Sequence, residues 1–197
     1  MTLLPLMAAM ALTLPGMGMD QAKALNRQFE SSGITGDAVV EVELVVRPDG
    51  RIASCEVVRA KGDSRAAAAF CPFVGATRLS KVARIDGEPA FAKIRTILSS
   101  GDNAREIIRK FPKSPDVMLD AASAPVPSDA KRYVFVAALV GEDGAIRECN
   151  ALNDAPAAYV DVACRKLGNF DVMRDETGKP VSYVTSKIVG FSASGER

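Results

Sequence analysis

The feature that most constrains this chain is that it repeats itself. Asp49-Gly50-Arg51-Ile52 is followed by Cys55, and Asp143-Gly144-Ala145-Ile146 by Cys149, the same spacing 94 residues later. A second cysteine follows in each copy, Cys71 and Cys164, and then a Gly-x-Pro turn, Gly87-Glu88-Pro89 and Gly178-Lys179-Pro180. The offsets of these later landmarks, 93 and 91 residues, differ only by small loop deletions. A chain built this way folds as two related small units rather than as one medium-sized domain.

Each copy reads as strand, hairpin, strand, helix, strand. In the first strand Val40, Val42, Leu44 and Val46 alternate with Glu41, Glu43 and Arg47, the period of a sheet with one wet face. Its counterpart runs over 133–140. Asp-Gly between two such runs is a hairpin signal, because both residues tolerate positive φ. Asp63 and Asp154 are candidate N-caps for helices over 64–74 and 155–167. Val160, Cys164 and Leu167 share one face of the second helix, so Cys164 is expected to point at the sheet. Pro72 shortens or kinks the first helix. Closing strands are expected over 90–98 and 181–191. Between the copies, 102–110 reads as a short helix expected on the second copy, followed by a Pro-containing linker of moderate stiffness; 21–30 is expected to cover the first copy.

The four cysteines fall as one pair per copy, and there is no histidine in the chain. We expect disulfides Cys55–Cys71 and Cys149–Cys164, each tying a second strand to the helix above it. Loops of this length contribute on the order of 3 kcal/mol in the loop-entropy description, which matters for domains of 70 to 80 residues or so. Neither the closely spaced ligand pairs of a zinc site nor a Cys-x-x-Cys redox motif occurs. Without imidazole there is no Ser-His-Asp or Cys-His pair, so no enzymatic activity, catalytic residue, metal or cofactor is expected. The Asp49/Glu56 and Asp143/Glu148 carboxylates are accounted for by turn chemistry and a solvated strand face. A thiol-based redox enzyme is the opposing reading, and would need a free, activated Cys. With 25 basic against 24 acidic residues the net charge is +1, so the basic footprint of a nucleic-acid binder is absent.

The first 19 residues carry no charge, and Ala22-Lys23-Ala24 offers small residues at both positions of an A-x-A cleavage signal. The expectation is a signal peptide over 1–24, a first domain over 25–99, a linker with a short helix over 100–130 and a second domain over 131–197. Export to the periplasm or beyond agrees with paired cysteines. An uncleaved anchor is the competing reading, since about 20 apolar residues span a bilayer; only then is membrane association expected.

With the copies aligned, 42–58 and 85–89, and in the second copy 140–146 and 175–181, resemble the C-terminal domain of the TonB family of energy transducers. The resemblance implies an α+β fold of two tandem TonB C-terminal-like domains, each a small antiparallel sheet of strand-strand-helix-strand order packed against helices. It also implies binding of protein or peptide segments, such as those of outer-membrane transporters, by strand addition at a sheet edge. The candidate partner-binding residues are then Ala90, Phe91 and Ile94 in the first closing strand, with Val181, Tyr183 and Val184 in the second. The resemblance does not extend to an inner-membrane motor contact or a long spacer before the domains. The alternative is a stapled structural envelope protein whose copies bury each other. The face of the second copy carrying Tyr133, Phe135 and Leu139 is in any case expected to be covered, by the linker helix, by the other copy or by a partner.

Overall fold

A computed structural model describes residues 12–111, 114–120 and 133–192. The elements run β1 (Leu12–Thr13), α1 (Met19–Ser31), β2 (Ala38–Val46), β3 (Ile52–Gly62), α2 (Ser64–Gly75), β4 (Ala83–Ile85), β5 (Glu88–Ser100), α3 (Ala104–Arg109), β6 (Val117–Asp120), β7 (Tyr133–Val140), β8 (Ile146–Ala151), α4 (Ala157–Lys166) and β9 (Tyr183–Ser192). The fold is α+β.

The duplication is visible down to single hydrogen bonds. In each half the first strand is central and antiparallel to both others, giving β3-β2-β5 and β8-β7-β9. Gly50 and Gly144 sit at φ 85° and 81° in equivalent hairpins. Their carbonyls accept from Leu79 and Phe170, at 2.8 and 2.9 Å. A Cβ at either glycine would strike the carbonyl of that same residue, so the turn and the connection after the helix are locked together.

The halves join edge to edge. β5 and β9 pair in parallel over three residues, Phe91 with Tyr183, Ala92 with Val184 and Lys93 with Thr185, making one continuous mixed sheet. A parallel seam between equivalent strands relates the halves by an approximate half-turn about an axis along the strands. Such a rotation inverts the face of the sheet. The core shows this directly: Val184 joins the first core with Val42, Leu44, Ala92, Phe29 and Phe70, whereas Val189 joins the second with Val136, Tyr159 and Val162. Val184 and Val189 lie five residues apart on one strand and so face opposite ways. Helices α1 and α2 therefore cover one side of the sheet and α4 the other.

Several expectations are corrected. Helix α1 starts at Met19, upstream of the expected cut, with Gln21 closing its first turn on Gly18 and accepting from Ser80. β1 pairs with β4, and Leu12, Leu14 and Met17 pack on the first core. In this structure residues 12–24 thus pack on the first half; residues 1–11 of the expected signal peptide lie outside the described residues, as do 112–113 and 121–130 of the linker. Helix α3 lies against β2 and β5 of the first half, not on the second, because Asp37 holds Asn103 just before it. Asp63 caps α2 through Ala66 N–H at 2.7 Å, but α4 starts after Pro156 rather than at Asp154, since the fixed φ of proline sets the entry to the first turn. The middle of the α4 face is Tyr159, Val162 and Ala163, with Val160, Cys164 and Leu167 at its margin. Leu139 and Ala137 on the opposite face of β7 are buried; β1 lies against β7 and β4 against β9, so the cover comes from the first half.

Candidate functional site

The four cysteines form the two disulfides expected from the repeat, Cys55–Cys71 and Cys149–Cys164. Each links an outer strand to the helix lying over its own half. The sulfurs are half-buried at the rims of the two cores, so each bridge closes a core at the point where the outermost strand would otherwise peel away.

The six candidate partner-binding residues are brought together, but not as open edges. Phe91 and Tyr183 pair with each other across the seam, as do Ala92 and Val184, and Ala90 pairs with Ala83 of β4. Ile94 is buried in the first core. Val181 precedes β9 and is held by its N–H to Met173. The two closing edges satisfy each other's backbone groups, which is how a long exposed edge is usually avoided.

The outer strands are edges of a different kind. On β3 the register against β2 shifts twice, leaving Val58 and Ala53 unmatched, and on β8 it shifts once, leaving Arg147 unmatched. Bulges of this kind bend an outer strand away from further pairing. They make β3 and β8 poor templates for an incoming segment.

Among the described residues an edge stays open where the seam ends. Beyond Lys93↔Thr185 the two closing strands part: among the described residues β5 continues to Ser100 with β2 on one side only, whereas β9 is joined from Val189 by the short parallel strand β6. Between them lies a slot of about 420 Å³, lined on its apolar side by Leu14, Ile97, Phe135, Leu152 and Ile188. Ile97, three residues before the end of β5, is 43% exposed.

The floor of this cleft is charged. Asp116, just ahead of β6, accepts from the Ile188 N–H at 2.8 Å and approaches Arg95 at 3.1 Å and Lys187 at 3.4 Å; its own N–H donates to the Ile188 carbonyl at 2.7 Å. Glu43 meets Lys93 at 3.0 Å and lies 3.9 Å from Arg95. The Asp116 side chain is only 7% exposed, and a carboxylate so placed is tolerable only with its charge paired and its oxygens bonded. Tyr183 lines a neighbouring hollow that shares Arg95, Asp116 and Lys187 with the slot, its hydroxyl donating to the Asp171 carbonyl at 3.0 Å. Burial, then the Asp171 and Glu43 carboxylates, push its phenol up to about 12. The first half's other buried carboxylate, Glu41, accepts from Arg59 at 2.6 Å, and Arg59 in turn lies over the Phe111 ring.

Neither Asp116 nor β6 was legible as a site residue. The signal was Val117-Met118-Leu119, an apolar triplet in a Pro- and Ser-rich connection, together with the basic residues Lys93, Arg95 and Lys187 on the two closing strands. No protein-family model, curated protein or solved structure matches the chain.

Proposed function

We propose that this chain is a non-enzymatic, exported protein-binding module that takes up an extended segment of a partner by strand addition. The observation that carries the reading is the side of β5 from Ile94 to Ser100, unpaired among the described residues and opening onto an apolar slot with an exposed Ile97. Backbone groups along such an edge supply affinity and alternate side chains supply selectivity. The two disulfides support residence in an oxidising compartment, and among the described residues no helix is long and apolar enough to cross a membrane. The strand-strand-helix-strand order of each half, with its sheet against a helix, supports a likeness to TonB C-terminal domains. On that likeness the partner segments belong to envelope proteins such as outer-membrane transporters.

A second reading has its own observation. The parallel β5–β9 seam closes the start of both candidate edges from within, over Phe91–Lys93 and Tyr183–Thr185, as expected of a stapled structural protein whose copies serve each other. A photoactivatable residue placed at Ile97, and separately at Phe91 inside the seam, distinguishes the two in cells that export the chain. The binding module gives a defined protein adduct from position 97 and none from 91, and a synthetic peptide of the adducted segment protects the β5 amides from exchange. No position-dependent adduct at 97 leaves the structural reading.

A further inference from the structure

One flank of β5 is shared along its length. β4 pairs with it over Glu88–Ala90 and β9 over Phe91–Lys93; beyond Lys93 it is unpaired among the described residues. A strand added there lies in line with β9 and cannot run on past it. Its path along β5 stops at Lys93↔Thr185, where β9 already holds the backbone position. Beside that point Asp116 is bonded to both backbone groups of Ile188. A segment that takes this flank therefore either ends at the fork or turns out of the sheet.

The charge at the fork decides which kind of end it suits. Lys93, Arg95 and Lys187 are set against Glu43 and Asp116, with Lys93 3.0 Å from Glu43 and Arg95 and Lys187 3.1 and 3.4 Å from Asp116. Three cations on two carboxylates leave one positive charge over. Glu41 also lines the slot, but Arg59 holds it at 2.6 Å. Asp171 lies 4.0 Å from Lys93 with its side chain 95% exposed, so water screens its share. The three cations are half-buried, where charge is screened less. An ammonium has three donors, and Lys187 reaches Asp116 with one, at long range. The fork thus favours a terminal carboxylate over a terminal ammonium. We propose that the partner segment is a C-terminus: the last residues of another protein, antiparallel to β5, with the terminal carboxylate over Lys187 and Arg95. With the final residue opposite Arg95, the third-last stands opposite Ile97 on the same face. An apolar side chain there fills the slot against Phe135, Leu152 and Ile188. The inference rests on the binding-module reading and adds the class of segment it takes.

The test uses the full chain and an N-terminally fluorescein-labelled hexapeptide, Thr-Val-Thr-Leu-Thr-Val, made with a free C-terminal carboxylate and as its amide. By fluorescence anisotropy the unaltered chain is expected to bind the acid at least about tenfold more tightly than the amide. That ratio should shrink as salt is raised. The acid is also expected to slow hydrogen exchange at the amides of Ile94 to Ser100. Lys187→Gln should bring acid and amide to within about twofold of each other. Equal binding of the two forms, binding of neither, a preference that Lys187→Gln leaves intact, or protection confined to other strands would each overturn the proposal. If Lys187→Gln fails to fold, the unaltered chain decides: a ratio indifferent to salt overturns the proposal and one that shrinks supports it. An adduct from position 97 that maps to the interior of a partner's sequence sinks this inference alone, whereas no adduct at 97 sinks the binding-module reading whatever the peptides do.

Discussion

At the scale of single residues, three aspartates do similar work in three turns. Asp37 is held down first by the Asn103 side-chain amide and then by its backbone N–H; Asp143 is held down chiefly by the Ala145 N–H, and Asp175 by the Thr177 hydroxyl. All three ionise more readily folded than unfolded. Their contribution is therefore present above the ordinary carboxylate range and is lost as pH falls below about 4. Urea midpoints measured through that acid range are expected to drop, and the Asp37→Asn/Asp143→Asn/Asp175→Asn chain to show a shallower drop; an unchanged slope would remove these turns from the acid response. Tyr159 raises a different question. Its hydroxyl is buried without a hydrogen-bond partner, and burial pushes its phenol up, while its ring stands edge-on to Phe191 at 4.9 Å. Tyr159→Phe keeps the ring contact and removes the unsatisfied group, so the melting temperature is expected to hold or rise. A clear fall would mean the hydroxyl has a partner that matters.

Among elements, the disulfides and α1 carry the sharpest expectations. Replacing either cysteine pair by serines should cost about 2–4 kcal/mol in urea unfolding, because each closes a loop of similar length. A loss confined to one pair would break the equivalence of the halves. Phe29 of α1 meets Phe70 in a tilted contact at 4.7 Å and Phe73 edge-on at 4.9 Å, and is 3% exposed. Phe29→Ala is expected to cost about 3–5 kcal/mol, which denaturant titration would read. How legible such features were depended on how local their chemistry is. The hairpins at Gly50 and Gly144, the Asp63 cap and the paired cysteines could be read because an Asp-Gly turn, a cap or a matched Cys pair is specified within a few residues or by the repeat. β4 and β6 could not: three or four residues carry too little period to register, and each is a strand only because a distant partner is waiting. Lys93, Arg95 and Lys187 alternate as wet-face residues do, and became half-buried because the two halves meet there. For the same reason Phe91 and Tyr183, expected on open edges, pair with each other across the seam.

For the whole molecule, the body begins upstream of residue 25. A chain starting at residue 25 loses β1, the first six residues of α1 and the half-buried Leu12, Leu14 and Met17. It is expected to be less stable than one starting at residue 12 by about 2–4 kcal/mol from lost apolar burial. Equal urea midpoints would show that this segment adds nothing to the fold. The seam also bears on how the chain reaches its final form. A hairpin can close as soon as it is made, but Phe91 must wait for Tyr183, and contacts of such separation form late. While synthesis proceeds from the N-terminus, the first half has its disulfide partners in hand but lacks Val184 from its core and leaves one flank of β5 bare. During that interval the strand is a target for any other nascent copy in the same state. The molecule is thus most prone to aggregate not when unfolded but when half made, and a factor that shields β5 until β9 arrives would raise its yield without touching its stability.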